Sequence, residues 1–189
     1  MMLSRLNSFL LAHASGRSVL LWLVVTIVSF VIMAFLITPA FTEATDGLNP
    51  FDLNFGITAE QAYAELPRYT DRSKTLYLWF AIVDYIYPFA NSLFFVLLWC
   101  WIFNKRTNRF FEILTSKGIL LIPFLFALVD WSENVGFLIV VFTYPAEYPD
   151  VANAAGMLKS SKRFFLMANV ALTLAFAAVA TLQWWRQRK

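Results

Sequence analysis

The stretch that decides the fold is Ile119–Thr143, which reads ILLIPFLFALVDWSENVGFLIVVFT. It is long enough to cross roughly 30 Å of hydrocarbon as a helix, which takes about 20 residues. Two acids, Asp130 and Glu133, nevertheless lie near its middle. Because a charged side chain in mid-membrane costs at least about 2.5–3.5 kcal/mol, such residues turn inward and find partners. The stretch therefore predicts a membrane-spanning helix whose polar stripe faces other helices.

The composition of the whole chain favours the same class of protein. Hydrophobic residues make up 60% of the 189 residues and charged residues only 14%, against about 25% charged in a soluble domain. Too little polar surface remains to cover a water-soluble globule, which excludes a soluble enzyme, a nucleic-acid-binding module and a disordered chain. We expect an all-α integral membrane four-helix bundle that forms a single transmembrane domain over residues 1–189.

Three further stretches are long and apolar enough to be spans. The four spans lie at about 19–38, 76–103, 119–143 and 164–185, and the outer loops at 39–75 and 144–163. The apolar core of the first span is about 19 residues long, which exceeds the 7–15 residues of a cleavable signal peptide. We therefore expect an uncleaved anchor.

The first outer loop contains a helix-start pattern. Thr58 and Gln61 have the spacing of a capping box, in which the hydroxyl and the amide satisfy free backbone N–H groups. An apolar face follows and ends at Pro67. We expect a short interfacial helix here and a second one at 151–159 in the other outer loop.

The flanks of the spans differ in charge, which predicts the orientation. One side is almost purely basic, with Arg5, Arg17, Lys105, Arg106, Arg109, Lys117, Arg186, Arg188 and Lys189 against the single acid Glu112. Acids outnumber basic residues on the other side. By the positive-inside rule both termini should be cytoplasmic, in a plasma or cytoplasmic membrane. Lys162 and Arg163, on the other side, are interpreted as interface anchors rather than as counter-ions.

Three acids are expected at one depth. Asp84 lies about eight residues inside the second span, or roughly 12 Å at 1.5 Å per residue. Glu133 lies about ten residues from the outer end of the third span, or roughly 15 Å, and Asp130 is one turn deeper. Three ionisable groups in one layer on two helices exceed what helix association requires. We interpret them as a functional cluster.

Polar and aromatic side chains surround these acids on the same helix faces. The candidate ligand-binding residues are Asp84, Asp130, Glu133, Asn134, Asn91, Tyr87 and Trp131. For Asn91, interhelical hydrogen bonding is the ordinary alternative. For Tyr87 and Trp131 the alternative is packing, because aromatic side chains fill cores whether or not a ligand is present.

The chain lacks the residues for common metal centres. Cys100 is the only cysteine and His13 the only histidine, and His13 lies outside the long apolar runs. Thiolate clusters, bis-histidine haem and a Ser-His-Asp triad therefore lack their parts. We expect no metal site and no cofactor, and no catalytic residue can be named.

Two short segments carry a resemblance to a known family. They are Asp84-Tyr85-Ile86-Tyr87-Pro88-Phe89 in span two and Asp130-Trp131-Ser132-Glu133-Asn134 in span three. With four spans and a long first outer loop, the chain resembles the EXPERA group of sterol isomerases and related sterol- or amine-binding membrane proteins. The isomerases of that group carry an intramembrane histidine, which these spans lack, so the resemblance implies ligand binding rather than isomerisation.

Three functions remain open at this point. The leading hypothesis is an acidic intramembrane pocket that binds a lipid-like or amphiphilic small molecule. The second is a membrane enzyme that uses paired carboxylates for acid/base chemistry on an apolar substrate. The third is a non-catalytic assembly or scaffold subunit, because the alanine-rich face of span four would allow close helix approach to a second copy or a membrane partner. Nucleic acid is not an expected partner.

Overall fold

The structure, a computed structural model, describes residues 2–54, 56–105 and 109–186, and every regular element in these ranges is helical. The expectation of an all-α fold is therefore confirmed. Four helical segments are long and apolar enough to cross a membrane: Gly16–Ala44, Asp71–Lys105, Ile119–Thr143 and Pro149–Arg186. These segments indicate a membrane protein. Arg106, Arg188 and Lys189, which contributed to the charge pattern, lie outside the described residues.

The N-terminal part contains two α-helices that are separated by a sharp break. Helix α1 (Met2–His13) ends before Ser15, whose side chain accepts a hydrogen bond from the backbone of Ser18 and so caps helix α2 (Gly16–Val31). Ser and Thr are favoured at this position because they satisfy a backbone N–H that has no partner inside the helix.

The first span changes its helical register before it ends. Residues Ile32–Ile37 form a π-helical turn, and helix α3 (Thr38–Ala44) follows without interruption. Pro39 lies at the start of α3, and a proline ring cannot donate the hydrogen bond that would continue a regular α-helix. The wider turn accommodates the proline, and π-turns of this kind are frequent near functional sites.

The loop after α3 folds into short helices. A 3₁₀ turn at Phe51–Leu53 precedes helix α4 (Ala59–Glu65) and a second 3₁₀ turn at Leu66–Arg68. The capping box is present as expected, with Thr58 and Gln61 each accepting a backbone hydrogen bond from the other. The expected short helix in this loop is confirmed.

The remaining chain forms four helices: α5 (Asp71–Lys105), α6 (Arg109–Ser116), α7 (Ile122–Thr143) and α8 (Pro149–Arg186), with a 3₁₀ turn at Ile119–Leu121 before α7. Helix α8 differs from the expectation, since residues 149–163 were taken as part of a loop with a short helix at 151–159. Polar residues interrupt the hydropathy there, but after Pro149, which suits a helix start, no residue breaks the helix.

Helix α5 lies at the centre of the bundle. Helices α2 and α7 pack against α5, and α8 packs mainly against α7. The α7–α8 contact is close, because a Cβ atom on Gly136 would lie 2.9 Å from the Cβ of Ala155. Among the described residues, helices α2 and α8 are not packed together extensively, so the bundle is open between these two helices.

Two apolar clusters define the ends of the bundle. At one end, here called the capped end, the segment between α3 and α5 covers the helices, and the buried rings of Phe41, Phe51, Tyr69, Tyr77 and Phe137 pack together. At the opposite end, here called the basic end, α1 packs against α5 and α6. Its buried cluster includes Trp99, Phe103, Phe111 and Phe176.

Candidate functional site

A cavity of about 440 Å³ lies on the capped side of the bundle and is bounded by all four candidate spans. Most of its wall is apolar, but ionisable side chains project into one part of it. The lining residues are Phe30, Met33, Ala34, Thr38, Asp52, Leu53, Phe80, Asp84, Tyr87, Phe126, Asp130, Lys162, Arg163 and Leu166. Met33 and Ala34 come from the π-helical turn, so the change of register in the first span contributes to the wall.

The acids of α5 and α7 lie together beside this cavity. Asn134 donates a hydrogen bond from Nδ2 to Asp84 Oδ2 at 3.0 Å and contacts Asp130 Oδ2 at 3.4 Å. Asp84 is 6% exposed, Asp130 and Asn134 are 2% exposed, and Glu133 is completely buried. The amide of Asn134 thus bridges two carboxyl groups on different helices.

Lys162 supplies the positive charge of the cluster. Its Nζ atom lies 2.9 Å from Asp130 Oδ1 and 2.8 Å from Glu133 Oε2. The interpretation of Lys162 as an interface anchor is therefore wrong, and it is a counter-ion. Because α8 begins at Pro149, Lys162 is thirteen residues, or roughly 20 Å, along the helix. Its side chain reaches the acids of α7 from that position.

Asp52 lies in the segment that was expected to be the first outer loop, 39–75. The 3₁₀ turn at Phe51–Leu53 places it in the cavity wall, 8% exposed, where Tyr77 donates a hydrogen bond to its Oδ2 at 2.7 Å. Its Oδ1 atom has no hydrogen-bond partner among the described residues. The flanking apolar residues Phe51 and Leu53 were the available signal that this part of the loop folds inward.

Lys159 holds the Asp52 turn against the bundle. It is 3% exposed and donates a hydrogen bond from Nζ to the carbonyl oxygen of Phe51 at 2.9 Å. The stretch that contains Lys159 was expected to be the second outer loop, 144–163. Lys159 lies one turn before Lys162, so the two lysines of α8 serve different partners, one the loop and the other the acids of α7.

The remaining candidate residues are divided between the cavity and ordinary packing. Tyr87 lines the cavity. Trp131 donates a hydrogen bond from Nε1 to the carbonyl of Tyr85 at 2.9 Å and stacks on Phe89, which favours the packing alternative. Asn91 is buried, lies outside the cavity lining, and its Oδ1 has no partner among the described residues.

The charges of the site do not balance within these contacts. Lys162 is shared between Asp130 and Glu133, so one positive charge serves two carboxyl groups. Within the described residues, neither Asp84 nor Asp52 lies within 4.0 Å of a basic nitrogen. The cavity wall therefore carries three acids, Asp52, Asp84 and Asp130, and two basic residues, Lys162 and Arg163. Among the described residues, the acids Asp52 and Asp84 have no ion-pair partner within 4.0 Å, so an added cation near them would gain electrostatic stabilisation.

No protein-family model matches the chain, and neither a curated protein nor a solved structure is significantly similar to it. The class that the fold and the cavity define is a helical bundle with four candidate membrane spans and a buried acidic site.

Proposed function

We propose that this protein binds an amphiphilic small molecule with a cationic headgroup in the cavity on its capped side. The observation that carries the proposal is the pair Asp84 and Asp52, two carboxyl groups in a mostly apolar wall without a basic nitrogen in ion-pair range among the described residues. An ammonium headgroup between them would supply the missing positive charge, and an alkyl chain would fill the apolar part.

The size and the position of the cavity suit such a ligand. Its volume of about 440 Å³ falls within the 300–1,000 Å³ of ordinary small-molecule sites. The opening between α2 and α8 would admit a hydrophobic molecule sideways from the lipid, so the ligand need not cross water. Phe30 and Leu166 lie on the two sides of this opening, one on each helix.

We further propose a location for the protein. It is an integral membrane protein of the plasma or cytoplasmic membrane, with the basic end and both termini in the cytoplasm. The acidic cavity then lies towards the outer leaflet. The resemblance of the segments around Asp84 and Asp130 to EXPERA proteins, some of which bind amines, agrees with this ligand class.

The internal ion pairs weaken the scaffold alternative. That hypothesis requires the intramembrane acids to pair with basic residues of a partner subunit. Asp130 and Glu133 already pair with Lys162 of the same chain, which leaves Asp84 for a partner. Acid/base chemistry at Asp84 and Asp130 stays a prediction. Both carboxyl groups line the cavity, and their different electrostatic surroundings are what an acid/base pair requires.

The test uses a photoactivatable dodecylamine probe and its uncharged dodecanol counterpart. Purified protein in lipid nanodiscs is crosslinked with each probe, and the labelled peptides are identified by mass spectrometry. We expect the amine to label residues of the cavity wall, such as Met33 or Leu166, and the alcohol to label them much less. Asp84→Asn and Asp52→Asn should each reduce amine labelling by roughly tenfold, since each removes a buried charge partner.

Glu133→Gln should reduce labelling less, because Glu133 lies behind Lys162 and outside the cavity lining. The matched control is Asp71→Asn, an exposed carboxyl group at the start of the same helix as Asp84, which should label as the wild type does. Wild-type labelling in folded Asp84→Asn and Asp52→Asn variants, or equal labelling by amine and alcohol, would contradict the proposal.

A further inference from the structure

The basic end contains a second and larger cavity that the acidic site does not use. It has a volume of about 510 Å³ and lies between α5 and α8. Its wall is formed by Leu98, Trp101, Ile102, Lys105, Thr173, Ala177, Ala180, Thr181 and Trp184. We refer to it as the α5–α8 groove.

Small side chains on α8 create this groove. Ala177 and Ala180 face α5 at positions where larger residues would close the gap. Above the groove the two helices are in contact, since Trp99 donates a hydrogen bond from Nε1 to Thr173 Oγ1 at 2.7 Å. The groove extends from the level of this contact to Trp184, near the end of α8.

The length of the groove matches one leaflet of a bilayer. On α8 it extends from Thr173 to Trp184, eleven residues or roughly 17 Å at 1.5 Å per residue. Half of the hydrocarbon core of a bilayer is about 15 Å. The groove therefore runs from near the mid-plane to the membrane surface, as a single acyl chain does.

The surface end of the groove is polar and positively charged. Lys105 Nζ lies 4.6 Å from the centre of the Trp101 ring, a cation–π geometry that holds the ammonium group at the mouth. Trp101 and Trp184 flank the mouth, and tryptophan is typical of the level of lipid headgroups. The exposed residues Arg186 and Lys117 belong to the same basic end.

From this length, apolar wall and charge, we infer that the α5–α8 groove binds one acyl chain of an anionic glycerophospholipid whose phosphate contacts Lys105. The inference is independent of the amphiphile site, because no lining residue is shared between the two cavities. A neutral zwitterionic lipid would fill the same groove but would bind less tightly, because its headgroup gains less electrostatic stabilisation from Lys105 at the mouth.

The experiment measures lipid retention by native mass spectrometry after exchange into detergent with phosphatidylglycerol or phosphatidylcholine of the same acyl chains. The wild type should retain one phosphatidylglycerol in preference to phosphatidylcholine. Lys105→Gln should lower that preference by about fivefold, as expected for one basic residue near a lipid surface. Ala177→Phe should abolish retention of both lipids, because the ring would occupy the groove.

Two matched controls separate the groove from the surrounding surface. Ala178→Phe adds the same ring at the next residue, which is exposed and lies outside the groove lining, and Lys117→Gln removes a basic residue of the same end. Both should retain lipid as the wild type does. Labelling by the dodecylamine probe should be unchanged in all four variants, which keeps this test distinct from that of the acidic cavity.

Three results would overturn the inference. Equal retention of the two lipids by the wild type would remove the claim about the headgroup. Wild-type retention by Ala177→Phe would show that the lipid binds elsewhere. A dimer that Ala177→Phe converts to a monomer, without change in bound lipid, would identify a second copy of the chain as the occupant.

Discussion

The two ends of the bundle are built from different kinds of contact. The capped end buries ionisable groups. Five of them are at most 8% exposed: Asp52, Asp84, Asp130, Glu133 and Lys159. Lys162 is partly buried. The interior of the basic end is aromatic and aliphatic, and its charged side chains lie on the surface. Because buried charge is costly unless it is paired, the capped end carries a cost that ordinary helix packing does not require.

The ends also differ in how closely the helices approach. Near the capped end, Gly136 and Gly156 bring α8 against α7 and against the loop, with no room for a Cβ atom. Near the basic end, small residues on α8 leave a groove instead. Small residues of α8 therefore have different effects along the helix: Gly156 allows close packing, whereas Ala177 and Ala180 leave a gap beside α5.

The largest expected effect is the loss of the cation in the capped end. Lys162→Met removes the partner of both Asp130 and Glu133 and leaves two buried carboxyl groups uncompensated. Breaking a buried ion pair on one side typically costs about 3–5 kcal/mol. We expect a loss of this size in the free energy of unfolding, measured by denaturant titration in mixed micelles.

Two comparisons sharpen this result. Lys117 is an exposed lysine at the basic end, so Lys117→Met should change the free energy of unfolding by less than about 0.5 kcal/mol. Neutralising the acids on the Lys162→Met background, with Asp130→Asn and Glu133→Gln, should restore most of the loss. A triple variant as unstable as Lys162→Met would mean that Lys162 acts through packing rather than through its charge.

Two hydrogen bonds of equal length compare the ends directly. Tyr77 donates to the carboxyl group of Asp52 and Trp99 donates to the hydroxyl of Thr173, both at 2.7 Å. A hydrogen bond to a charged acceptor contributes about 1.5–3 kcal/mol and one to a neutral acceptor about 0.5–1.5 kcal/mol. Tyr77→Phe should therefore destabilise the protein more than Thr173→Val in the same unfolding assay.

Tyr148→Phe is the control for loss of a phenolic hydroxyl, since Tyr148 is 46% exposed. It should leave the unfolding midpoint within error of the wild type. Equal losses for Tyr77→Phe and Thr173→Val would contradict the view that charge distinguishes the two ends.

Close packing at the capped end can be tested at Gly156. A Cβ atom there would lie 2.5 Å from the carbonyl oxygen of Ile57, so the loop or the helix must move. Gly156→Ala should cost about 1–3 kcal/mol, as overpacking does, and it should weaken dodecylamine labelling because the displaced segment carries Asp52. Gly16→Ala is the control, since its nearest neighbour would be 4.0 Å away, and no loss is expected.

Features coded by neighbouring residues could be predicted from the sequence. The four candidate spans follow from runs of apolar residues. The cap of α4 follows from Thr58 and Gln61, three residues apart. The proximity of Asp84 to the acids of α7 was expected from their similar depth. Each of these inferences needs only the helical rise and the local pattern.

Features that depend on contacts between distant segments could not be predicted. The polar residues at 159–163 resemble the edge of a span, and only the continuous helix α8 directs Lys162 towards Asp130. In the sequence, Asp52 resembles an ordinary loop acid. Its buried position depends on a contact with Tyr77, twenty-five residues later. The α5–α8 groove likewise results from the angle between two helices, which the positions of alanine residues do not determine.

The smallest expected effect concerns an acid at the surface of the capped end. Glu65, at the end of α4, is partly buried, and its Oε2 has no hydrogen-bond partner among the described residues. Burial raises the pKa of its carboxyl group above the ordinary value of 4.5, and the charge of Arg68 opposes this only in part. Because the folded state disfavours the charged form, this group costs stability as the pH rises through its pKa.

Glu65→Gln should therefore raise the unfolding midpoint slightly at pH 7, by about 0.5 kcal/mol or less, and the gain should vanish below about pH 4, where both states carry the proton. Glu60→Gln, on the exposed side of the same helix, should give no gain at either pH. A gain of the same size at both pH values would mean that the amide improves packing rather than relieving a buried charge. Glu65 would then give no support to the view that charge burial distinguishes the capped end.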